Sequence, residues 1–565
     1  MPLAPLLDTG DHEVGMRFTV VPKAVLATAL ALGCGAAAAP QNPIDAGRLS
    51  AHVKVLASDA FEGRGPGTPG EAKTVDYVVG QLKALGLKPA GEKGGWTQTV
   101  PLTRFEVTGP VRIGVTLNGR TEAWTQGEQA VVQTQVPVDH VSIKDAPLVF
   151  VGYGVKAPER GWDDFKGVDL HGKVAVVLIN DPDFENPQST LFGGKAMTYY
   201  GRWTYKYEEA ARQGAVGMLI VHETVPAAYG WATVKNSNTN ARFDVVREDP
   251  LKEHPLMQGW VQRDVAVGLF KACGLDFEAQ KAAARQASFR PVPLDCARFS
   301  TDYAVDHRRI ETRNIAARLP GKVRPDETVI FSAHWDHLGV GDPDANGDRI
   351  FNGAVDNASG VADVLEIARA FSQGPRPDRS VAFLIVTAEE QGLLGSLYYS
   401  LHPLTPPEKT VAVLNLDALD DHGPSRDISI SGGGQVTLED DLAAAARRHG
   451  RYFSPDPDPG AGHFYRSDHF PFAKIGVPAI SIGSGRDLVN GGRAAGEAWH
   501  AAYVARRYHQ PDDEWSPQMD FSGQAEDVGL TYEIGRDLAN STRWPDWKPG
   551  SEFKAARDVS APARR

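Results

Sequence analysis

A chain of 565 residues is too long for one ordinary hydrophobic core, so two or three domains are expected. Apolar residues make up 42% and charged residues 23%, the proportions of a soluble globular protein, which excludes a disordered or fibrous chain. The formal charge is −12 without a long basic run, which excludes nucleic acid as a partner, since that binding rests on clustered Lys and Arg.

The first distinct segment reads as an export signal. Arg17 and Lys23 precede an apolar stretch at 24–33, and Ala36-Ala37-Ala38-Ala39 follows. A positive start, a short apolar core and small residues make 1–39 a secretory signal peptide. Met16 is a second candidate start, because Asp8, Asp11 and Glu13 do not suit a signal's n-region. The expected location is periplasmic or secreted, with a lipoprotein anchored through Cys34 as the alternative. No other stretch is apolar enough to cross a membrane. Apart from Cys34 the only cysteines are Cys273 and Cys296. In an oxidising compartment they could pair, or they could remain thiols; the sequence leaves both open.

Residues 40–106 read as helix, loop, helix, the N-terminal part of a catalytic domain. Val75, Val78, Val79, Leu82 and Leu85 fall at helical spacing, with Gly86 as the stop. Between the helices, Gly65-Pro66-Gly67-Thr68-Pro69-Gly70 is formally G-x-G-x-x-G. No buried strand precedes it, and two prolines lack the N–H groups a phosphate needs, so it reads as a surface turn. Residues 107–297 change to strands and turns, with short apolar runs at 148–153, 173–179 and 217–221 and a helix at 203–214. No dense cluster of His and carboxylates occurs there; the expectation is a β-rich insert that shields or shapes a site elsewhere.

Residues 298–545 alternate strand and helix, which predicts an α/β unit with a mixed, mostly parallel sheet flanked by helices. The clearest strands are 328–333, 381–387, 411–416 and 479–482. The helix after Ser359 places Val361, Val364, Leu365, Ala368 and Phe371 on one face. From Ser541 the sequence becomes rich in Trp, Pro and Arg without periodicity, and 546–565 reads as a C-terminal tail.

Three of those strands run into ligand-type residues. The first leads to His334-Trp335-Asp336-His337, the second to Glu389-Glu390 and the third to Asp417. Ligands of open α/β sheets gather beyond the carboxyl ends of the strands, so these groups should converge. Asp356 lies just before a helix, and His509 lies in a late loop. Two His and several carboxylates suit Zn²⁺, and a carboxylate-rich set of five suggests two ions bridged by one carboxylate. Such a pair lowers the pKa of a shared water and braces an oxyanion, while a Glu beside a ligand Glu supplies the base. His337 is expected to be structural or at the rim, and Asp512 and Asp513 to form a turn or a brace.

The run Ser332 to His337, with Asp356-Asn357-Ala358-Ser359-Gly360, Glu389-Glu390, Asn415-Leu416-Asp417 and Tyr508-His509, resembles the M28 family of zinc peptidases. Residues 56–67 and 152–221 also resemble members carrying an inserted protease-associated (PA) domain, here 107–297. The resemblance implies His334, Asp356, Glu390, Asp417 and His509 as ligands of two zinc ions, with Asp356 bridging. It implies Glu389 as general base and Asp336 as the group that holds the His334 ring. Arg466, in Arg466-Ser467-Asp468-His469, would contact the peptide or its oxyanion, and Tyr465 is a candidate oxyanion donor.

The implied activity is an aminopeptidase acting on peptide substrates. Glutamate-carboxypeptidase-like and glutaminyl-cyclase-like zinc enzymes are the alternatives within the fold, and a noncatalytic receptor-like protein the alternative outside catalysis. A carboxypeptidase would need a basic cluster for the substrate's terminal carboxylate, and beyond Arg466 the sequence indicates none. No G-x-S-x-G elbow and no H-E-x-x-H occurs. Oligomeric state is not legible in the sequence.

Overall fold

In a computed structural model of the protein, residues 42–564 are described, apart from Pro187, Asp342, Ala345 and the side chain of Asn236. The signal segment 1–39, with Cys34, lies outside the described residues. Helix α1 (Ala46–Leu56) is capped by the Asp45 side chain, which accepts from the Arg48 N–H, and it buries Leu49, Val53 and Leu56. Helix α2 (Pro69–Ala84) starts on a proline and buries Val75, Val78, Val79 and Leu82, the stripe its spacing predicts. Leu85 is its C-cap.

Strands β1 (Thr97–Leu117), β2 (Ala130–Gln133), β3 (His140–Phe150), β4 (Val174–Leu178), β5 (Gly217–His222), β6 (Met257–Gln262) and β7 (Val292–Leu319) follow. Neighbours β3, β4, β5 and β6 are parallel, and β2 closes the edge antiparallel to β6. Helices α3 (Trp203–Arg212), α4 (Arg263–Ala272) and α5 (Phe277–Ala284) accompany them. Every residue of β4 and β5 is buried, the pattern of parallel strands covered on both faces. The insert is therefore strand-rich but parallel at its centre. Cys273, at the end of α4, and Cys296, in β7, form a disulfide with Cα atoms 5.2 Å apart.

Strands β1 and β7 form an antiparallel spine, paired from Ala297↔Leu117 to Ile315↔Thr97. One part of β7 pairs with β3 and its last residues pair with β9 (Arg379–Val386), so a single strand passes from the insert into the next layer. That layer adds β8 (Arg324–His334), helix α6 (Gly360–Gln373), β10 (Thr410–Leu416), β11 (Asp427–Ile430) and β12 (Ala479–Ser484). Strand β8 lies between β9 and β10, parallel to both, and β10 is parallel to β12. The expected α/β unit is present, and the carboxyl ends of β8, β9 and β10 share one edge.

Alternate residues of β8 serve opposite cores. Val329, Phe331 and Ala333 join α6 and the long helix α7 (Ser522–Asn540), whereas Ile330 packs with Tyr399 and Phe472. Gly535 of α7 is required here, since a Cβ would stand 2.1 Å from the Phe331 ring. The C-terminal residues 546–564 are anchored at three points: Trp547, Phe553 and Arg557 are buried, and Arg557 donates to the Thr410 carbonyl. Among the described residues no helix is long and apolar enough to cross a membrane.

Candidate metal centre

Strand β8 delivers His334 to the shared edge, and Trp335 behind it is fully buried, with its indole N–H on the Arg313 carbonyl at 2.9 Å. His334 Nε2 faces Asp356 Oδ1 at 3.3 Å and Asp417 Oδ1 at 3.1 Å. His509 Nε2 faces the other oxygen, Asp356 Oδ2, at 3.3 Å and Glu390 Oε2 at 3.1 Å. Asp356 thus stands between two histidines, each completed by a further acid.

The donor set fits a divalent metal. Ligand atoms of His334, Asp356 and Asp417 lie within 4.8 Å of one another, and so do those of His337, Asp356 and Glu390. His337, expected as a structural or rim residue, is fully buried and joins the second group, with Nδ1 2.6 Å from Glu390 Oε1. Imidazole and carboxylate in this mixture suit zinc. The charges point the same way. Burial opposes ionisation of Asp356, but hydrogen bonds from His334 and His509 outweigh it and hold the carboxyl well below its usual range. Burial likewise opposes ionisation of Glu390, while His509 and His337 bring it down to about 2. Burial disfavours charge on His334, yet Asp417 and Glu389 hold its proton well above the usual histidine range. His509 behaves alike, through Glu390 and Tyr508. A cluster of acids that pins protons on its histidines is one that lacks positive charge.

Asp336 differs in detail from the sequence reading. The His334 Nδ1 partner is the Asp336 backbone carbonyl, at 3.1 Å, while the carboxylate is 3.8 Å away. That carboxylate instead accepts the backbone N–H groups of Glu389 (3.1 Å) and Glu390 (3.4 Å). One residue therefore sets both the imidazole and the acid pair. Left-handed backbone at Ala388, Ala418 and His509 (φ 53°, 53° and 56°) marks all three loops as held against local preference. No described residue hydrogen-bonds the Glu389 carboxylate. Burial pushes it well above the ordinary glutamate range; His334 opposes and the acids around it add.

Other supports were not apparent from sequence. Asp417 accepts a short hydrogen bond from the Ser467 hydroxyl, which accepts from Asn415 Nδ2 (2.7 Å); Asn415 in turn accepts from Ser332 (2.8 Å). Asp513 accepts the N–H groups of Val355 and Asp356 through Oδ2, at 3.0 and 3.1 Å, as a brace would. Arg64 is fully buried and donates to the carbonyls of Trp335 (2.8 Å), Leu56 (2.9 Å), Asn352 (2.6 Å) and Gly353 (2.9 Å). It ties the N-terminal segment to the loops that carry His334 and Asp356. Only Gly67, Thr68 and Pro69 of the 65–70 turn are exposed, since Gly65 packs against Gly339 and Gly70 against the Phe61 carbonyl.

Tyr465, the candidate oxyanion donor, lies against the C-terminal segment. It is buried, and its hydroxyl donates to Glu552 Oε1 of the C-terminal segment at 2.6 Å. Arg466 lies one residue before Ser467, and its guanidinium is 5.7 Å from the Tyr229 ring of the insert.

The fold and site define a class: an α/β protein with a paired carboxylate–imidazole centre at the carboxyl edge of its sheet. Residues 314–529 match the model of Peptidase family M28, and over that segment the chain is similar to the family. A "Probable zinc metalloprotease" of Pyrenophora teres f. teres is 34% identical over 272 residues, 46% of this chain and 50% of its own length. A "Probable lipoprotein aminopeptidase" of Mycobacterium tuberculosis is 23% identical over 516 residues, 88% of this chain and 86% of its own. The chain spans about half the length of several curated relatives it matches. The solved aminopeptidase from Aneurinibacillus sp. strain AM-1 shares the fold, with a TM-score of 0.50 at 19% identity over 88% of this chain and 95% of that one.

Proposed function

We propose that the protein is an exported aminopeptidase that uses two zinc ions and takes peptides as substrates. The observation that carries this reading is Asp356, whose two oxygens face two histidines belonging to two ligand sets. His334, Asp356 and Asp417 would hold one ion; Asp356, Glu390 and His509 would hold the other, with His337 orienting Glu390. Zinc at both positions would supply Lewis acidity for the scissile carbonyl and for the attacking water.

The chain's own residues do the rest. Glu389, whose carboxylate has no hydrogen bond among the described residues and is surrounded by acids, takes the proton of the attacking water. It then gives the proton to the leaving amine, for which a carboxyl that holds protons firmly is suited. Asp336 keeps that carboxyl in register through two backbone N–H groups. The shared carboxylate favours this reading over a one-zinc cyclase. The insert 107–297 is read as a PA-like domain walling one side of the site, which its Tyr229 supports by lying over Arg466. The Cys273–Cys296 disulfide supports an oxidising compartment, hence export, with lipid attachment at Cys34 as the alternative form.

A panel of free and N-blocked peptides, assayed before and after chelation, tests the activity. Free peptides should be cut from the amino end, and chelation should abolish cleavage. Cutting of N-blocked peptides from the other end would replace the proposal with a carboxypeptidase.

A further inference from the structure

Strands β1 and β7 run beside the short strand Arg242–Val245, and the two faces of this patch serve different ends. Register assigns the faces: Leu102 lies opposite both Val245 and Ile310, and Thr103 lies opposite both Asp244 and Arg309. Successive residues of a strand point to opposite sides, so Leu102, Val245 and Ile310 share one face and Thr103, Asp244 and Arg309 the other. The first face packs on Ala388 and Leu394, which flank Glu389-Glu390.

The second face forms the floor of a cavity of about 350 Å³, within the range of small-molecule sites. Phe105, Pro137, Val246 and Pro250 supply apolar walls. Most polar groups on the cavity are already committed. Both oxygens of Asp244 are held by Arg247, at 2.6 and 3.1 Å, and one of them also by His254 Nε2 at 2.8 Å. His307 Nε2 is 3.2 Å from Asp139, and the Gln135 amide donates to the Phe243 carbonyl at 2.8 Å.

Arg308 and Arg309 are the exceptions. Among the described residues neither guanidinium has a hydrogen bond or an ion pair, and Arg309 is the one on the cavity's face. An uncommitted fork of N–H donors beside apolar walls matches a carboxylate on an apolar body. The fork answers the charge, and the walls remove the rest of the molecule from water.

We propose that this cavity is an effector site for a small carboxylic acid with an apolar body. The carboxylate takes Arg309, and the body lies along Phe105. One layer of strands then separates the ligand from Ala388 and Leu394. The turn behind that layer is closed by the Gly392 and Leu393 N–H groups on the Glu389 carbonyl, each at 2.8 Å, and by the Leu394 N–H on the Ala388 carbonyl at 3.0 Å. A ligand that pins the three strands therefore steadies the turn that carries Glu389.

Benzoate and benzamide share a body and differ in charge, which makes them the probes. Each is titrated by calorimetry into zinc-equilibrated wild type and Arg309→Met, a change at an exposed side chain that should leave folding intact. Benzoate should bind wild type about tenfold or more tightly than benzamide, and Arg309→Met should remove the difference. Benzoate held by the zinc ions instead would keep its affinity in Arg309→Met. That outcome, or no saturable binding in wild type, overturns the site. Hydrogen exchange tests the effect on the turn. With benzoate at about ten times its Kd, exchange at the Gly392, Leu393 and Leu394 amides should slow by up to about tenfold in wild type and stay unchanged in Arg309→Met. Unchanged exchange in wild type overturns the effector role.

Discussion

Asp356 connects both halves of the centre, and the Glu389 carboxylate has no hydrogen bond among the described residues, so their substitutions should separate cleanly. Glu389→Gln is expected to keep its zinc and lose turnover by about 10²–10⁴-fold, read by metal analysis beside kcat. Loss of zinc in step with activity would make it a ligand instead. Arg64→Leu should cost roughly 3–5 kcal/mol, because several buried carbonyls lose their donor and the acids Asp336, Asp513, Asp356 and Glu390 lose a nearby cation. Urea titration of the metal-free protein measures it, and a change within 0.5 kcal/mol, the ordinary scale for surface substitutions, would show that Arg64 holds nothing together. Among the proposed ligands, His334, Asp356, Glu390 and Asp417 stood out because each follows an apolar strand or precedes a helix, whereas His509, in a late loop, was carried by the resemblance. Arg64 did not stand out, since an arginine in a Gly- and Pro-rich turn looks solvated until packing closes over it. The Tyr465–Glu552 hydrogen bond was hidden for a similar reason, since Glu552 lies in a segment without periodicity.

At the scale of elements, the strands and helices of the α/β unit follow from period and length. Strand β8 shows it most clearly, with alternate residues in two cores. The parallel centre of the insert was half legible. Unbroken apolar runs such as Val174–Leu178 signal strands buried on both faces, but order and direction come only from pairing. The β1–β7 spine was least legible, because its exposed stretches are polar and its register is set by neighbours in two layers. The Cys273–Cys296 bridge, left open by sequence, closes a separation of 23 residues. Replacing both cysteines by serine should lower stability by about 3 kcal/mol in the chain-entropy picture. Denaturant midpoints of the two proteins test this, and identical midpoints would remove the bridge from any stabilising role.

At the scale of the whole molecule, one strand shared between insert and α/β unit leaves no linker across which they could unfold separately. Calorimetry should therefore show a single cooperative transition; two resolved transitions would contradict this coupling. Metal and protons are linked as well. Acids hold protons on His334 and His509 above the usual histidine range, so in the metal-free protein these rings are protonated near neutrality. Zinc must displace those protons, and its affinity should fall as pH falls. Binding heats in buffers of different ionisation enthalpy should reveal proton release, and its absence would mean the rings are already neutral.

The decisive quantity is the amount of zinc held per chain. Elemental analysis of zinc-equilibrated, purified protein should give two ions in the wild type and in Glu389→Gln, and loss of both in Asp356→Asn. A single ion in the wild type, or full occupancy in Asp356→Asn, would contradict a centre built on one shared carboxylate.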